Sequence, residues 1–402
     1  MSTEPEEVEV PGVEERPRLL SVEIGDWPGL GGNVGFTLGE RRTVLVGRNG
    51  AGKSLLMEGV WRAVGAAAFG PEPGFPRFFR CEVAIPGTSA LQYEYRMGSE
   101  DAGDKEPHAL DSKRSKRRRI PSWSERCWRS DDGAELWRIA DGTIVQQGAG
   151  PRPFQHGEGL LITVDADFDG PGEVLTLADF LAGFDMVPAG VPRSGGDRRE
   201  IVVRGSKNEA GTHDWSLGPD PNVGFAGGIV HMWEHDTEQF EELVELLRDL
   251  DLVRNVKVEL YEGPQAVRNA AEHRTYATVL FDGVNFGLCS DGTQRVTSIL
   301  RQLIREDLSC LLVEEPETAV HPRLLGKLLG VIESYSFDRQ VVLSTHSPEV
   351  VDWCGPTGLR IVERLEGQTQ VHGLGSEELA RVHRYLADEG TFSDFVYRWS
   401  EA

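Results

Sequence analysis

The residues Gly47-Arg48-Asn49-Gly50-Ala51-Gly52-Lys53-Ser54 have the types and the spacing to hold phosphate. They read G-x-x-x-x-G-K-S. Glycines at those places let backbone N–H groups turn inward on a β-phosphate, and a helix starting behind them adds its partial positive charge. Lys53 can bridge the β- and γ-phosphates, and the Ser54 hydroxyl is a ligand for Mg²⁺. A second set of oxygens stands at Glu314-Glu315, directly after Leu311-Leu312-Val313. Two acids closing an apolar strand suit a Mg²⁺-nucleotide crevice, one orienting metal-bound water and the other polarising an attacking water. Ser290-Asp291-Gly292 and His346 complete the candidates.

Each group needs an element to carry it. Arg42-Thr43-Val44-Leu45-Val46 is a β-branched run suited to a buried strand, and Leu55 to Trp61 is apolar at helical spacing. Strand, glycine loop and helix form the context in which the motif cradles phosphate. Cys289 to Arg295 opens a helix with Val296, Ile299, Leu300 and Leu303 on one face. By itself Ser-x-Gly there also describes an ordinary helix cap. Pro322 sits in the first turn of the helix after the acids, and Gln340-Val341-Val342-Leu343-Ser344 reads as a parallel strand delivering His346.

Elsewhere, Arg18–Ile24 and Val34–Leu38 read as strands, as do Arg77–Ile85, Ala90–Met97, Glu135–Ile139 and Thr143–Gln147. Residues 98–130 read as a charged loop holding Lys113 to Arg119, six cations in seven residues. Leu160–Val164 leads into Asp165-Ala166-Asp167-Phe168-Asp169-Gly170, which begins like an EF-hand loop but has Thr176 at the twelfth position. It also matches a Toprim Asp-x-Asp step without an upstream partner, so an acidic turn is the reading. Residues 188–228 read as loops, Thr237–Leu250 as an amphipathic helix capped by Asp236, and Asp282-Gly283 as a hairpin turn.

The formal charge of −23 makes the surface as a whole repel nucleic acid, so DNA or RNA contact is expected only through Lys113–Arg119. Five scattered cysteines, never C-x-x-C, point to a reducing cytoplasm rather than a disulfide framework or zinc site. The N-terminus has six Glu before Arg16 and no apolar signal segment, and no run approaches the ~20 residues that span a bilayer. A cytoplasmic protein without membrane contact is expected.

With these pieces assembled, the chain resembles the ABC-type ATPases related to SMC, RecF and the overcoming-lysogenization-defect proteins. It is most similar to the AAA-21-like group, many of whose members serve anti-phage systems such as Septu, PARIS and Gabija. The residues that carry the resemblance are the phosphate loop, Ser290-Asp-Gly-Thr-Gln-Arg295, Leu311-Leu-Val-Glu-Glu-Pro-Glu317, His321-Pro322 and Ser344-Thr-His-Ser-Pro348. The resemblance implies an α/β, ABC-type P-loop NTPase head: a mixed central sheet with flanking helices, an antiparallel β layer and an α+β insertion lobe. It implies a homodimer or higher oligomer whose heads sandwich ATP and Mg²⁺ head to tail. Lys53, Ser54, Glu314, Glu315 and His346 of one subunit would face Ser290 and Gly292 of the other. By carry-over Glu314 is the metal ligand, Glu315 the catalytic base, His346 the γ-phosphate sensor, and His321 lies where the D-loop crosses the interface.

The expected division is an acidic disordered leader (1–17), the head's first half (18–97), the insertion (98–283), the second half (284–375) and a helical tail (376–402). Glu314 replaces the Asp of many relatives, and the Q-loop glutamine has only Gln146, Gln147 and Gln155 as candidates. The insertion has no heptads, and about fifty residues follow His346, fewer than a Toprim nuclease needs. A separate effector, nuclease or toxin, is therefore expected. RecF-like repair and a nucleotide-gated scaffold with little turnover are the alternatives.

Overall fold

The structure is a computed structural model. It describes residues 16–69, 74–98, 123–140, 143–148, 150–153, 170–189, 201–207, 213–216, 221–262, 274–388, 391–394 and 396. Lys113–Arg119, Leu160–Asp169, Gln155 and all but the last two residues of the acidic leader lie outside the described residues.

In chain order, β1 (Arg18–Gly25), β2 (Val34–Thr37) and β3 (Arg42–Val46) precede α1 (Lys53–Phe69). Then come β4 (Phe78–Ala84), β5 (Leu91–Met97), β6 (Trp123–Arg129), β7 (Glu135–Ala140), β8 (Thr143–Gln146), β9 (Arg152–Pro153), α2 (Gly172–Ala182) and β10 (Phe184–Val187). The middle of the chain adds β11 (Val203–Lys207), β12 (His213–Ser216), α3 (Pro221–His235), α4 (Thr237–Asp249), β13 (Val256–Glu262), β14 (Arg274–Phe281) and β15 (Val284–Asn285). The rest is α5 (Asp291–Leu303), β16 (Cys310–Glu314), α6 (Pro322–Tyr335), β17 (Gln340–Thr345), α7 (Pro348–Cys354), β18 (Leu359–Leu365), β19 (Gln368–Gly373) and α8 (Ser376–Asp388).

The central sheet has the order β10-β16-β17-β3-β18-β19, parallel except for the last hairpin. Its inner strands β16, β17 and β3 are buried on both sides because both faces are covered. Leu45, Leu312 and Val342 face α1, α2 and the eight-stranded antiparallel sheet β2-β1-β4-β5-β6-β7-β8-β9. Their neighbours Val44, Leu311 and Val341 face α5, α6 and the core shared with α3 and α4. Side chains alternate between these two cores at the strand period of two. This is an α/β architecture with a mixed central sheet, helices on both faces and an antiparallel layer.

The third sheet, β12-β11-β14-β13 with β15 on β14, turns at Asp282 (φ 49°) and Gly283 (φ 83°), the positive pair a tight hairpin needs. Asp236 caps α4 by accepting from the Gln239 N–H at 3.1 Å.

Three expectations need correction. Residues 123–129, read as loop, form β6, and Met97 pairs with Trp123, so the boundary drawn at 97/98 falls inside a sheet. Within 188–228, also read as loop, residues 203–207 and 213–216 form β11 and β12, and residues 221–228 begin α3. Its Gly228 lies so close to the Arg301 guanidinium of α5 that a Cβ would overlap it, so the glycine permits helix contact there. Val284–Leu288 is a strand only to Asn285 and then a 3-10 turn. Among the described residues no helix is long and apolar enough to cross a membrane, and all five cysteines are free.

Candidate nucleotide site

Register alone assembles the site. β16, β17 and β3 lie side by side and parallel, with Glu314 opposite Ser344 and Thr345 opposite Val46. Their carboxyl ends therefore deliver Glu314-Glu315, His346 and the loop Gly47–Gly52 to one edge, where open α/β sheets bind ligands.

The loop turns where Ala51 N–H donates to Arg48 O at 3.1 Å, and it joins α1 through Leu56 N–H to Gly52 O at 2.8 Å. Arg48, Asn49 and Gly50 are exposed at its tip, and Ser54 is exposed in the first turn of α1. A Cβ on Gly50 (φ 81°) would meet nothing within 4 Å. Lys53 is buried, and its Nζ donates to Gly47 O at 2.7 Å and to Arg48 O at 3.4 Å. Nζ also lies 2.9 Å from His346 Nε2. An ammonium can only donate, so Nε2 is the acceptor there. Burial pushes the Lys53 pKa below its ordinary value, while the Glu315 and Glu317 carboxylates oppose the shift.

The two acids have different surroundings. Glu314 is buried, and its Oε2 accepts from the Ala189 N–H at 3.0 Å. Glu315 adopts φ 42°, a conformation non-glycine residues rarely hold, and donates its N–H to Ser344 O at 2.8 Å. Its carboxylate accepts from the Thr318 hydroxyl at 3.1 Å and reaches His346 Nε2 at 3.9 Å. A hydroxyl and a carboxylate are the hard oxygen donors Mg²⁺ takes alongside substrate phosphates. Ser54 and Glu314 fit that donor set, the second oxygen of Glu314 being the one left by Ala189.

Two residues not singled out in the sequence organise this edge. Glu317 Oε1 accepts from Thr345 Oγ1 and from the His346 N–H, both at 2.7 Å, and so fixes the turn that presents the imidazole. Buried Arg295, in α5, donates from Nη1 to Pro188 O and from Nη2 to Glu314 O. Desolvation lowers its pKa to about 10 against the raising effect of Glu314, Glu317 and Glu315. The sequence signals for both were faint: a third Glu two places after Glu315, and an arginine amid the apolar face of a helix.

Ser290 caps α5, accepting from the Thr293 N–H at 3.1 Å. A Cβ on Gly292 would overlap Ala319 O, so the glycine permits the turn after the acid strand (Ala319 φ 61°) to pass. Gln294 braces the segment before Ser290 by donating to Gly287 O at 3.2 Å and Cys289 O at 3.0 Å. The interactions of Ser290 and Gly292 thus run to Thr293 and Ala319, whereas Lys53, Glu315, Glu317 and His346 converge. His321 caps α6 through Nδ1, which accepts from the Arg323 N–H at 3.2 Å. Gln146 ends β8, and the Gln147 N–H donates to Leu136 O at 2.9 Å.

A family model described as "AAA domain, putative AbiEii toxin, Type IV TA system" matches residues 236–352. That stretch carries Ser290, the acids and His346 but not the phosphate loop. Among solved structures the chain is similar to an Smc head bound to the C-winged helix domain of ScpA, at 13% identity and a TM-score of 0.45, covering 90% of this chain and 99% of that one. It is also similar to the SMC head domain from Thermotoga maritima, at 11% identity and 0.39, covering 89% and 99%. A third is the Pyrococcus furiosus Smc head with an extended coiled coil, bound to the C-terminal domain of ScpA, at 12% identity and 0.42, covering 92% and 100%. No curated protein matches the sequence. The architecture is α/β, with the strand that precedes the Gly47–Ser54 loop beside parallel strands ending at Glu314 and before His346, and an antiparallel sheet over α1.

Proposed function

We propose that this chain binds and hydrolyses ATP, pairs head to tail around the nucleotide, and controls a separate effector, a nuclease or toxin, in anti-phage defence. The observation that carries the catalytic part is the convergence of Lys53, His346 and Glu315, within 2.9 Å and 3.9 Å of one imidazole nitrogen, from the ends of three adjacent strands. The phosphates occupy the Gly47–Ser54 loop, with Lys53 leaving Gly47 O for the β- and γ-oxygens. Mg²⁺ held by Ser54 and Glu314 would neutralise charge on those oxygens. Glu315 polarises the attacking water, and His346, fixed by Glu317, donates toward the γ-phosphate. Ser290 and Gly292 contact that phosphate from the second head, which is consistent with their lying apart from the Lys53 cluster in one chain. The effector role is supported by the resemblance to defence ATPases and by the toxin–antitoxin description of the family model.

The test is nucleotide binding and phosphate release by wild type, Lys53→Ala and Glu315→Gln. Lys53→Ala should lose tight binding, and Glu315→Gln should keep it while hydrolysis falls about 10²–10⁴-fold, the usual contribution of a general base. Wild type that binds ATP without releasing phosphate would exclude the ATPase and leave a scaffold. Co-purification with products of neighbouring genes, with and without ATP, tests the effector role; no partner in either condition counts against it.

A further inference from the structure

We infer that Thr369, on the hairpin beyond the histidine strand, is a positioning residue that sets the phosphate-loop peptide whose N–H faces the nucleotide; the inference rests on the nucleotide reading above. Thr369 is buried in β19, 318 residues from the loop it touches, and its hydroxyl donates to Ala51 O at 3.0 Å. The contact is close: a Cβ on Gly52 would lie 2.6 Å from Thr369 Oγ1. Ala51 C=O and Gly52 N–H belong to one planar peptide, and among the described residues no peptide bond is cis. In a trans peptide those two groups point in opposite directions. Holding the carbonyl toward β19 therefore turns the Gly52 N–H to the other side of the loop, and inward-turned N–H groups are what an anion cradle requires.

The hydroxyl is itself held from outside the loop. The Thr369 N–H donates to Leu30 O at 2.8 Å, and the Arg364 guanidinium of β18 donates to Gly29 O at 2.9 Å. Gly31 packs so close to Gly367 O that a Cβ would overlap it. At the loop's other end Gly47 packs on Val362 O, again with no room for a Cβ. The β18–β19 hairpin thus backs the loop at both its first and its last motif glycine. Only the Thr369 contact orients a peptide dipole, and it does so with a donor that valine, of the same shape, lacks.

The experiment measures affinity for a fluorescent ATP analogue with Mg²⁺, competition by inorganic pyrophosphate, and the thermal midpoint without ligand. The proteins are wild type, Thr369→Val, Thr369→Ala, Thr369→Ser and Lys53→Ala. Loss of one buried hydrogen bond's worth of orientation predicts about tenfold weaker binding for Thr369→Val, by the same factor for the analogue and for pyrophosphate. Thr369→Ser should bind within about twofold of wild type, because it restores the donor. Thr369→Ala decides the matter if the valine variant does not fold. Wild-type affinity in the folded hydroxyl-free variant, or failure of Thr369→Ser to recover it, overturns the positioning role. Lys53→Ala separates the two ideas: its loss of binding upholds the nucleotide reading whatever Thr369 does, and its retention overturns that reading.

Discussion

Glu317→Ala is the perturbation that most directly tests how the histidine is presented. One carboxylate oxygen accepts both the Thr345 hydroxyl and the His346 N–H at 2.7 Å. Hydrogen bonds to a charged acceptor contribute about 1.5–3 kcal/mol each, so the pair contributes about 3–6 kcal/mol before other effects. The other oxygen, Oε2, is buried without a hydrogen-bond partner among the described residues. Leaving such an atom dry costs about 1–3 kcal/mol, and alanine removes that cost together with the bonds. The difference spans about 0–5 kcal/mol, and its middle, a destabilisation of about 2–3 kcal/mol, is the value expected for Glu317→Ala. Glu317→Gln keeps an acceptor for both donors but a neutral one, so it should cost about half as much.

Urea unfolding gives the stability change from the shift in midpoint, provided the slope is unchanged. Phosphate release under saturating ATP gives the functional change. If Glu317 acts by placing His346, Glu317→Ala should lower kcat about tenfold or more while ATP affinity stays within about threefold, since the phosphate loop keeps its own contacts. A variant within about 0.5 kcal/mol of wild type, with unchanged kcat, would refute both the energy argument and the positioning role.

Two further outcomes follow from the same geometry. Gly52→Ala places a Cβ 2.6 Å from Thr369 Oγ1 at φ 107°, whereas Gly50→Ala at φ 81° enters open space, so the first should cost about 1–3 kcal/mol more by urea unfolding; equal costs would show that the hairpin yields. In Glu315→Gln, which should hold ATP without hydrolysing it, light scattering should report ATP-dependent association that Ser290→Arg abolishes; association surviving that change would mean the site is not shared between chains.

The parts legible in the sequence were those whose chemistry fixes adjacent residue types. Gly47–Ser54, Leu311–Glu315 and Gln340–His346 each announce a strand and the group at its end, and parallel register then brings the groups together without further information. β6 was not legible because its inward side includes buried Glu125 beside Cys127, which breaks the apolar alternation that marks a strand. α3 was hidden by Gly224, Gly227 and Gly228, which read as loop until the Arg301 guanidinium is seen against the last of them. Glu317, Arg295 and Thr369 act on partners 28, 19 and 318 residues away, through bonds that leave no local pattern.

The position of Arg295 bears on how a paired head would work. In the proposed head-to-tail arrangement, Ser290 and Gly292 serve one nucleotide while Glu314 and Glu315 of the same chain serve the other. Those two ends are not independent. Arg295, four residues into α5, holds the Glu314 carbonyl and the Pro188 carbonyl, and Gly292 packs directly against Ala319 just past the acids. A buried guanidinium bonded to two carbonyls is costly to displace, because each freed group would stay desolvated. A shift of α5 as its Ser290 end meets a γ-phosphate should therefore carry the acid strand with it rather than shear past it. In that arrangement the coupling would run through one side chain, Arg295, and one glycine contact, Gly292 on Ala319.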